Sequence, residues 1–390
     1  MIRKHLTPLF EWKSPGLGWH VPFLAALGVG IPVFLGFWFH QPRQAMLAAT
    51  GAMVILYLPP VMHSVRAALV RLLGCAAGFG LCYVSAAACA FHSAAAVSAL
   101  CLLTLLATAC SRWLRIPPPG SFFPVVIASI ACNARFDPVA IPINTVWLLF
   151  GSLVSCILAF IYMKCRSGPR ASAECPQPTS IKNPATQSSN DSAVNDSVQD
   201  QEHRSSNDPV KNLPVPNLPA ILIESSIIAT FVALSLLIAR LLNMENPYWV
   251  PISCAAILQG GTFRAVWHRN VHRIVGTALG MGLSWFLFPS VPHPVAVIII
   301  MVSLVFVVEY LVSRHYGLAV IFITPMTVCF AEFTSGGVPI HGLFTTRLLD
   351  IILGSLIGAA GGIILHHPEW CRKMEAWLRR RFFTGQIPPA

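Results

Sequence analysis

Residues 271–282 read VHRIVGTALGMG, and residues 68–80 read ALVRLLGCAAGFG. Each stretch sets an arginine in front of an apolar run and follows it with two glycines four residues apart. A shift of 202 positions carries Arg71, Gly74 and Gly78 onto Arg273, Gly276 and Gly280, and continues through Leu81 onto Leu283, Ser111 onto Ser313 and Arg112 onto Arg314. A shift of 203 carries Gly151, Ser152 and Leu153 onto Gly354, Ser355 and Leu356. One offset that spans most of a half-chain and slips by a single residue reads as a tandem duplication.

The runs behind these arginines decide the fold class. Leu72 to Ser111 holds forty residues without Asp, Glu, Lys or Arg, and Ile274 to Val308 holds thirty-five. A bilayer-spanning helix takes roughly 20 apolar residues, so each run has room for two helices and a tight turn. The whole chain is 55% hydrophobic and 11% charged, with a mean hydropathy of +0.67, where soluble domains carry about 25% charged residues. Too few polar residues remain to cover a water-facing surface. The fold expected is therefore all-α integral membrane, with about 12 transmembrane helices as two parallel six-helix repeats.

Apolar segments fall at roughly 21–39, 45–60, 67–90, 94–111, 120–134 and 144–163, then at 219–242, 247–261, 271–289, 293–313, 317–332 and 346–365. This divides the chain into a first repeat at 1–166, a linker at 167–217, a second repeat at 218–367 and a basic tail at 368–390. The linker contains TQSSNDSAVNDSVQDQEHRSSND, a composition that cannot bury a core and predicts disorder. The first twenty residues lack the apolar centre of a signal peptide, so the segment after them is expected to be the first membrane helix.

Basic residues set the expected orientation. Of the 26 Lys and Arg, 22 fall at the N-terminus, after an even-numbered helix or in the tail, and only Arg43, Arg135, Arg240 and Arg347 fall on the other side. Basic residues in short loops stay cytoplasmic, which predicts a cell inner membrane protein with both termini and the linker inside. An even number of helices per half makes the repeats parallel, related by an axis along the membrane normal.

Enzymatic and energy-coupling motifs are missing. The chain has no GxxxxGK[ST] phosphate loop, no HExxH and no GxSxG, so neither an enzyme nor a cofactor nor a metal is expected. Its twelve cysteines form no CxxC pair and lie mostly in apolar runs. Cys75, Cys82 and Cys89 recur every seven residues, near one helix face, as small packing residues. His268 and His272 flank arginines at a membrane edge and read as part of a solvated basic cluster rather than a metal site.

Ionisable residues in membrane helices are the remaining candidates. Glu224, Glu309 and Asp350 lie in or at the ends of the second half's helices, and their offset partners are Pro22, Ala107 and Trp147. The acids therefore belong to one half alone, as proton-coupling groups or as interfacial residues. Arg71, Arg112, Arg273 and Arg314 recur at matching places and suit either an anion-selecting ring or helix-end retention. Arg347 and Asp350, three apart, share a helix face and are placed to pair. Gly354, Gly358 and Gly362 give that helix a smooth stripe for close packing or for lining a pore.

The stretch NPYWVPISCAAILQGGTFRAVWHRNVHRIVGTALGMG, 246–282, resembles the fusaric acid resistance family, which includes bacterial aromatic acid exporters. Tyr248, Trp249, Gln259, Arg273, Ile274, Gly276, Thr277 and Gly280 carry the likeness, and TRLLDIILGSLIG, 346–358, extends it through Arg347, Asp350 and Gly354. The first half matches more weakly, through Arg71, Gly74 and Gly78, and lacks the Tyr-Trp pair. The family's larger exporters carry a cytoplasmic domain where this chain has its linker. The plant aluminium-activated malate transporters, more distant relatives, resemble single halves that dimerise into an anion channel.

The resemblance implies export of small organic anions, aromatic carboxylates above all. Arg273 and Arg71, with Arg112 and Arg314, would attract the anion. Tyr248 and Trp249 would stack its ring or belong to the aromatic belt, and Glu309, Asp350 or Glu224 would carry protons. A passive anion channel and a non-transporting membrane assembly protein are the rival readings. Partners expected are the anion and membrane lipid, with a periplasmic adaptor or a homo-oligomer left open, and no nucleic acid.

Overall fold

The computed structural model describes residues 18–59, 64–166, 217–287, 294–335 and 340–382. The linker expected to be disordered lies, apart from Asn217, outside the described residues, as does most of the N-terminal segment.

Among the described residues there are thirteen α-helices, one 3₁₀ helix and no strand. The first half runs α1 (His20–Trp38), α2 (Pro42–Ala52) continued by the 3₁₀ helix Met53–Tyr57, α3 (Val65–Ala88), α4 (Ser93–Trp113), α5 (Phe122–Asn133) and α6 (Ala140–Arg166). The second runs α7 (Leu218–Leu241), α8 (Trp249–Leu258), α9 (Phe263–Leu287), α10 (Pro294–Val312), α11 (Tyr316–Ser335) and α12 (Ile340–Leu365), with α13 (Pro368–Phe382) after it.

Local chemistry sets the helix ends. Ser64 and His92 accept hydrogen bonds from the first turns of α3 and α4, at 3.5 Å and 3.2 Å. Prolines stand in the first turns of α2 and α7, where the missing N–H costs nothing. At the far ends of α1, α4 and α7, His40, Arg115 and Asn243 adopt φ of 54°, 51° and 51°. This lets Gln41, Ile116 and Met244 donate back to Gly36, Ser111 and Ala239 and close the helices.

Among the described residues seven helices are long and apolar enough to cross a membrane: α1, α3, α4, α6, α7, α10 and α12. This makes the chain an all-α, multi-pass membrane protein, with fewer such spans than the twelve segments read from hydropathy. Two causes account for four of the five differences, those at α2, α5, α8 and α9. Helices α2, α5 and α8 have 11, 12 and 10 residues, about 15–18 Å of helix where the hydrocarbon core is about 30 Å thick. Helix α9 is long but carries Arg264, Arg269 and Arg273. The short α8 is buried from Val250 to Leu258, as partial helices at membrane depth must be.

Packing is inverted relative to a soluble protein. Ala25, Ala45, Ala48, Ala96, Ala128, Ala159, Ala229 and Ala239 are fully buried, while Leu81, Leu102, Val146, Leu153, Ile157 and Leu241 point outward and are exposed. Small residues inside let backbones approach, and large apolar ones meet hydrocarbon. Helix α1 packs on α2 and α6, α2 on α6, α3 on α5 and α6, and α4 on α5. In the second half α7 packs on α8 and α12, α8 on α12, α9 on α11 and α12, and α10 on α11. Between the halves α4 packs on α7, α1 on α10, α5 on α8 and α2 on α11.

The glycine motif behaves differently in its two copies. A Cβ at Gly276 would meet Val320 at 2.9 Å, and one at Gly280 would meet the Ile321 carbonyl at 2.5 Å, because α9 presses there on α11. A Cβ at Gly74 or Gly78 would meet nothing within 4 Å, so of the two copies only the second is pressed against a neighbouring helix. The first half makes its tightest contact elsewhere, where Gly151 of α6 lies on the Ala48 carbonyl of α2. The basic tail begins with helix α13.

Candidate functional site

Most of the buried polar groups of the second half gather where α8, α9, α11 and α12 meet. Helix α9 presents Asn270, Arg273, Thr277 and Ser284 on its buried side, spaced three, four and seven apart so that they form one stripe. Sequence reading placed Arg273 at a helix start. The helix begins at Phe263, so Arg273 stands ten residues in, about 15 Å along the axis. It is only 7% exposed. Its guanidinium donates to Ser253 Oγ of α8 at 3.1 Å and approaches the Tyr316 hydroxyl of α11 at 3.5 Å, while Nε makes no hydrogen bond.

Arg347 enters from α12 and is 4% exposed. It donates to the Thr327 carbonyl at 3.0 Å, and its guanidinium carbon lies 3.4 Å from the centre of the Trp249 ring. Arg273, Tyr248 and Asp350 all lie within its electrostatic reach. Asp350 is 1% exposed, and its Oδ2 makes no hydrogen bond. The pairing expected from the three-residue spacing does not form: among the described residues no ion pair joins Arg347 and Asp350, because the guanidinium is turned onto Trp249 and Thr327.

Helix α8 starts at Trp249 with Tyr248 before it and no side-chain cap on its first turn. Tyr248 and Trp249 lie in tilted contact, 5.2 Å between centroids. An uncapped helix N-terminus carries partial positive charge, and Arg347 covers its first residue. The stripe Gly354–Gly358 of α12 closes against the Val250 and Cys254 carbonyls of α8, which makes it a packing surface here.

Other sequence candidates lie apart from this cluster. Arg112, at the end of α4, forms an ion pair with Glu224 of α7 across the two halves. Arg314 folds back over Tyr310, 3.6 Å from ring centre, and donates to the Tyr310 carbonyl at 2.7 Å. Arg71 keeps Nε and Nη2 buried without hydrogen bonds in the first half. The four arginines read as a repeated set thus have four different surroundings. Glu309 sits on α10, which packs on α1 and α11, whereas Asp350 sits on α12, which packs on α7, α8 and α9. Ser253, Tyr316, Thr327 and Asn270 were missed in the sequence. Only the spacing of Asn270 with Arg273 and Thr277 signalled any of them.

Residues 232–361 match the fusaric acid resistance protein-like family. That fusaric acid resistance protein-like segment runs from within α7 to the last turns of α12 and contains every residue of the cluster. The chain is also 30% identical over 155 residues to the uncharacterized membrane protein YvaC of Bacillus subtilis (strain 168). The alignment covers 37% of this chain and 25% of YvaC, so the chain spans about a quarter of that relative. No solved structure matches.

Proposed function

We propose that the protein is an inner-membrane secondary transporter that exports small organic anions, with aromatic carboxylates as the preferred class and protons as the coupling ion. The observation that carries this reading is the buried pair Arg273 and Arg347, accompanied within this cluster by one buried carboxylate, Asp350. Charge inside a membrane protein is costly unless paired, and an excess of one cation is lowered in energy by an anionic guest. The uncapped start of α8 adds to the same field, and Trp249, already under a guanidinium, offers a ring edge to an aromatic substrate. Asp350, with an unbonded oxygen beside that field, is the group we assign to proton coupling.

Two parallel repeats fit the packing. Exchanging α1–α6 for α7–α12 carries each packed pair named above onto another, including α4–α7 onto α10–α1 and α5–α8 onto α11–α2. The turn at His40 recurs at Asn243, 203 positions on. Cytoplasmic termini rest on the basic-residue distribution.

The test is uptake of labelled benzoate and its hydroxylated analogues by proteoliposomes, with and without a pH gradient, for wild type, Arg273→Ala and Asp350→Asn. Accumulation above equilibrium that collapses with the gradient, and that both variants lose, supports the reading. Equilibration without accumulation that persists in Asp350→Asn makes the protein an anion channel. Absence of protein-dependent flux for any acid removes the substrate class.

A further inference from the structure

Helix α13 is unlike the twelve before it. Two residues separate it from the end of α12 at Leu365, so it emerges at the membrane boundary. Its inner side is fixed: Cys371 Sγ donates to the Leu365 carbonyl at 3.3 Å, and Glu375 accepts from Asn217 at 2.5 Å, which ties the helix to the start of α7. A second side carries Trp370, Met374 and Trp377, which follow one another at four- and three-residue spacing and so form a single stripe. They are 62%, 38% and 61% exposed. Lys373 and Arg380, also exposed, flank that stripe. Over its length α13 has five basic and two acidic residues.

We propose that the Trp370–Met374–Trp377 stripe of α13 docks into the headgroup region of an anionic lipid surface, the leaflet at which α12 ends, and holds the helix flat there. The argument is one of charge and position. Tryptophan rings settle at the membrane–water boundary, and an amphipathic helix with aromatic residues on one side and Lys or Arg beside them lies in that plane. Each basic residue near an anionic surface strengthens attachment roughly fivefold. The start of α13, tied to α7 and α12, stands at this level before any lipid contact forms, so little ordering is left to lose on docking.

The experiment is hydrogen exchange of the full chain in nanodiscs of pure phosphatidylcholine, of phosphatidylcholine mixed with phosphatidylglycerol, and in detergent. Amides 368–382 are expected to exchange about tenfold more slowly in the anionic discs than in the zwitterionic ones, with the difference removed by high salt and by K373E/R380E. In W370S/W377S the same amides should lose protection in both kinds of disc while those of α7 and α12 keep theirs. Equal protection of wild-type 368–382 in both lipids, unaffected by salt, overturns the proposal and leaves the helix held by α7 and α12 alone. The wild-type comparison decides the matter even where a variant folds poorly.

Discussion

The guanidinium of Arg347 lies over the ring of Trp249, 3.4 Å from its centre, and this contact together with the Thr327 carbonyl, rather than an ion pair with Asp350, holds the arginine. The arrangement joins α12 to the first residue of α8 and leaves Asp350 with an unbonded buried oxygen.

Trp249→Leu should therefore weaken the protein and its function together. A desolvated cation–π contact contributes about 2 kcal/mol, so the variant is expected to melt earlier in detergent and to lose roughly tenfold or more in anion flux. Trp249→Phe should recover most of both. Arg347→Lys keeps the charge but not the planar stack, and should resemble Trp249→Leu. Melting curves with and without benzoate, alongside flux, check this.

The two copies of the glycine motif should respond oppositely to the same change. Gly280→Ala puts a methyl against the Ile321 carbonyl and Thr324, and overpacking of this kind costs about 1–3 kcal/mol. Gly74→Ala meets nothing and should be neutral or stabilising by up to about 1 kcal/mol, the helix-propensity gain over glycine. Thermal unfolding of the two single variants is the measurement. Equal destabilisation would contradict the packing described.

The contact between α4 and α7 carries charge at both ends, of unequal weight. Arg112 and Glu224 are 49% and 29% exposed, and an exposed pair contributes about 0–1 kcal/mol. Glu224→Gln should barely move the melting temperature, and less so in high salt. Arg240, at the other end, donates to the Ser93 carbonyl at 3.0 Å, the Cys132 carbonyl at 2.8 Å and Asn133 Oδ1 at 3.1 Å. Arg240→Ala leaves part-buried acceptors without these charge-assisted bonds and should cost about 1.5–3 kcal/mol.

Cys371 supplies a chemical readout outside the membrane spans. Burial, with the Glu224 and Glu375 carboxylates nearby, pushes its thiol up from the ordinary value. A raised thiol holds less thiolate at any given pH, and the thiolate is the nucleophile. Maleimide should modify Cys371 more slowly than the exposed Cys165 at neutral pH, with the gap narrowing as pH rises. Glu224→Gln should quicken the reaction.

How much of this was legible in the sequence depends on which residues carry the signal. Hydropathy located the apolar segments within a few residues, because exclusion from water acts on composition alone. Among the described residues fewer of these segments are long apolar helices, because 3₁₀ geometry interrupts one at Met53–Tyr57 and arginines stud another, α9. Arg273, Trp249, Arg347 and Asp350 were singled out by residue type and family likeness, yet their relation was misjudged. Helical spacing says which side chains share a face, not that a ring on another helix will take the guanidinium. Ser253, Tyr316 and Thr327 left no trace, since a lone hydroxyl in an apolar run acquires meaning only when another helix brings it a partner.

Two of the helix contacts that join the halves are built differently. One is α4 on α7, bolted at its rims by Arg112 and Arg240. The other is α1 on α10, hydrocarbon on hydrocarbon: Ala26, Val29 and Val33 against Met301, Leu304 and Val305, with Gly30 under Val302. In a bilayer such a surface gains nothing from expelling water and differs from a lipid-wetted one only in fit. Lipid chains are thus direct competitors for the α1–α10 seam and poor competitors for the other, so the protein is fastened along one side and merely fitted along the opposite one.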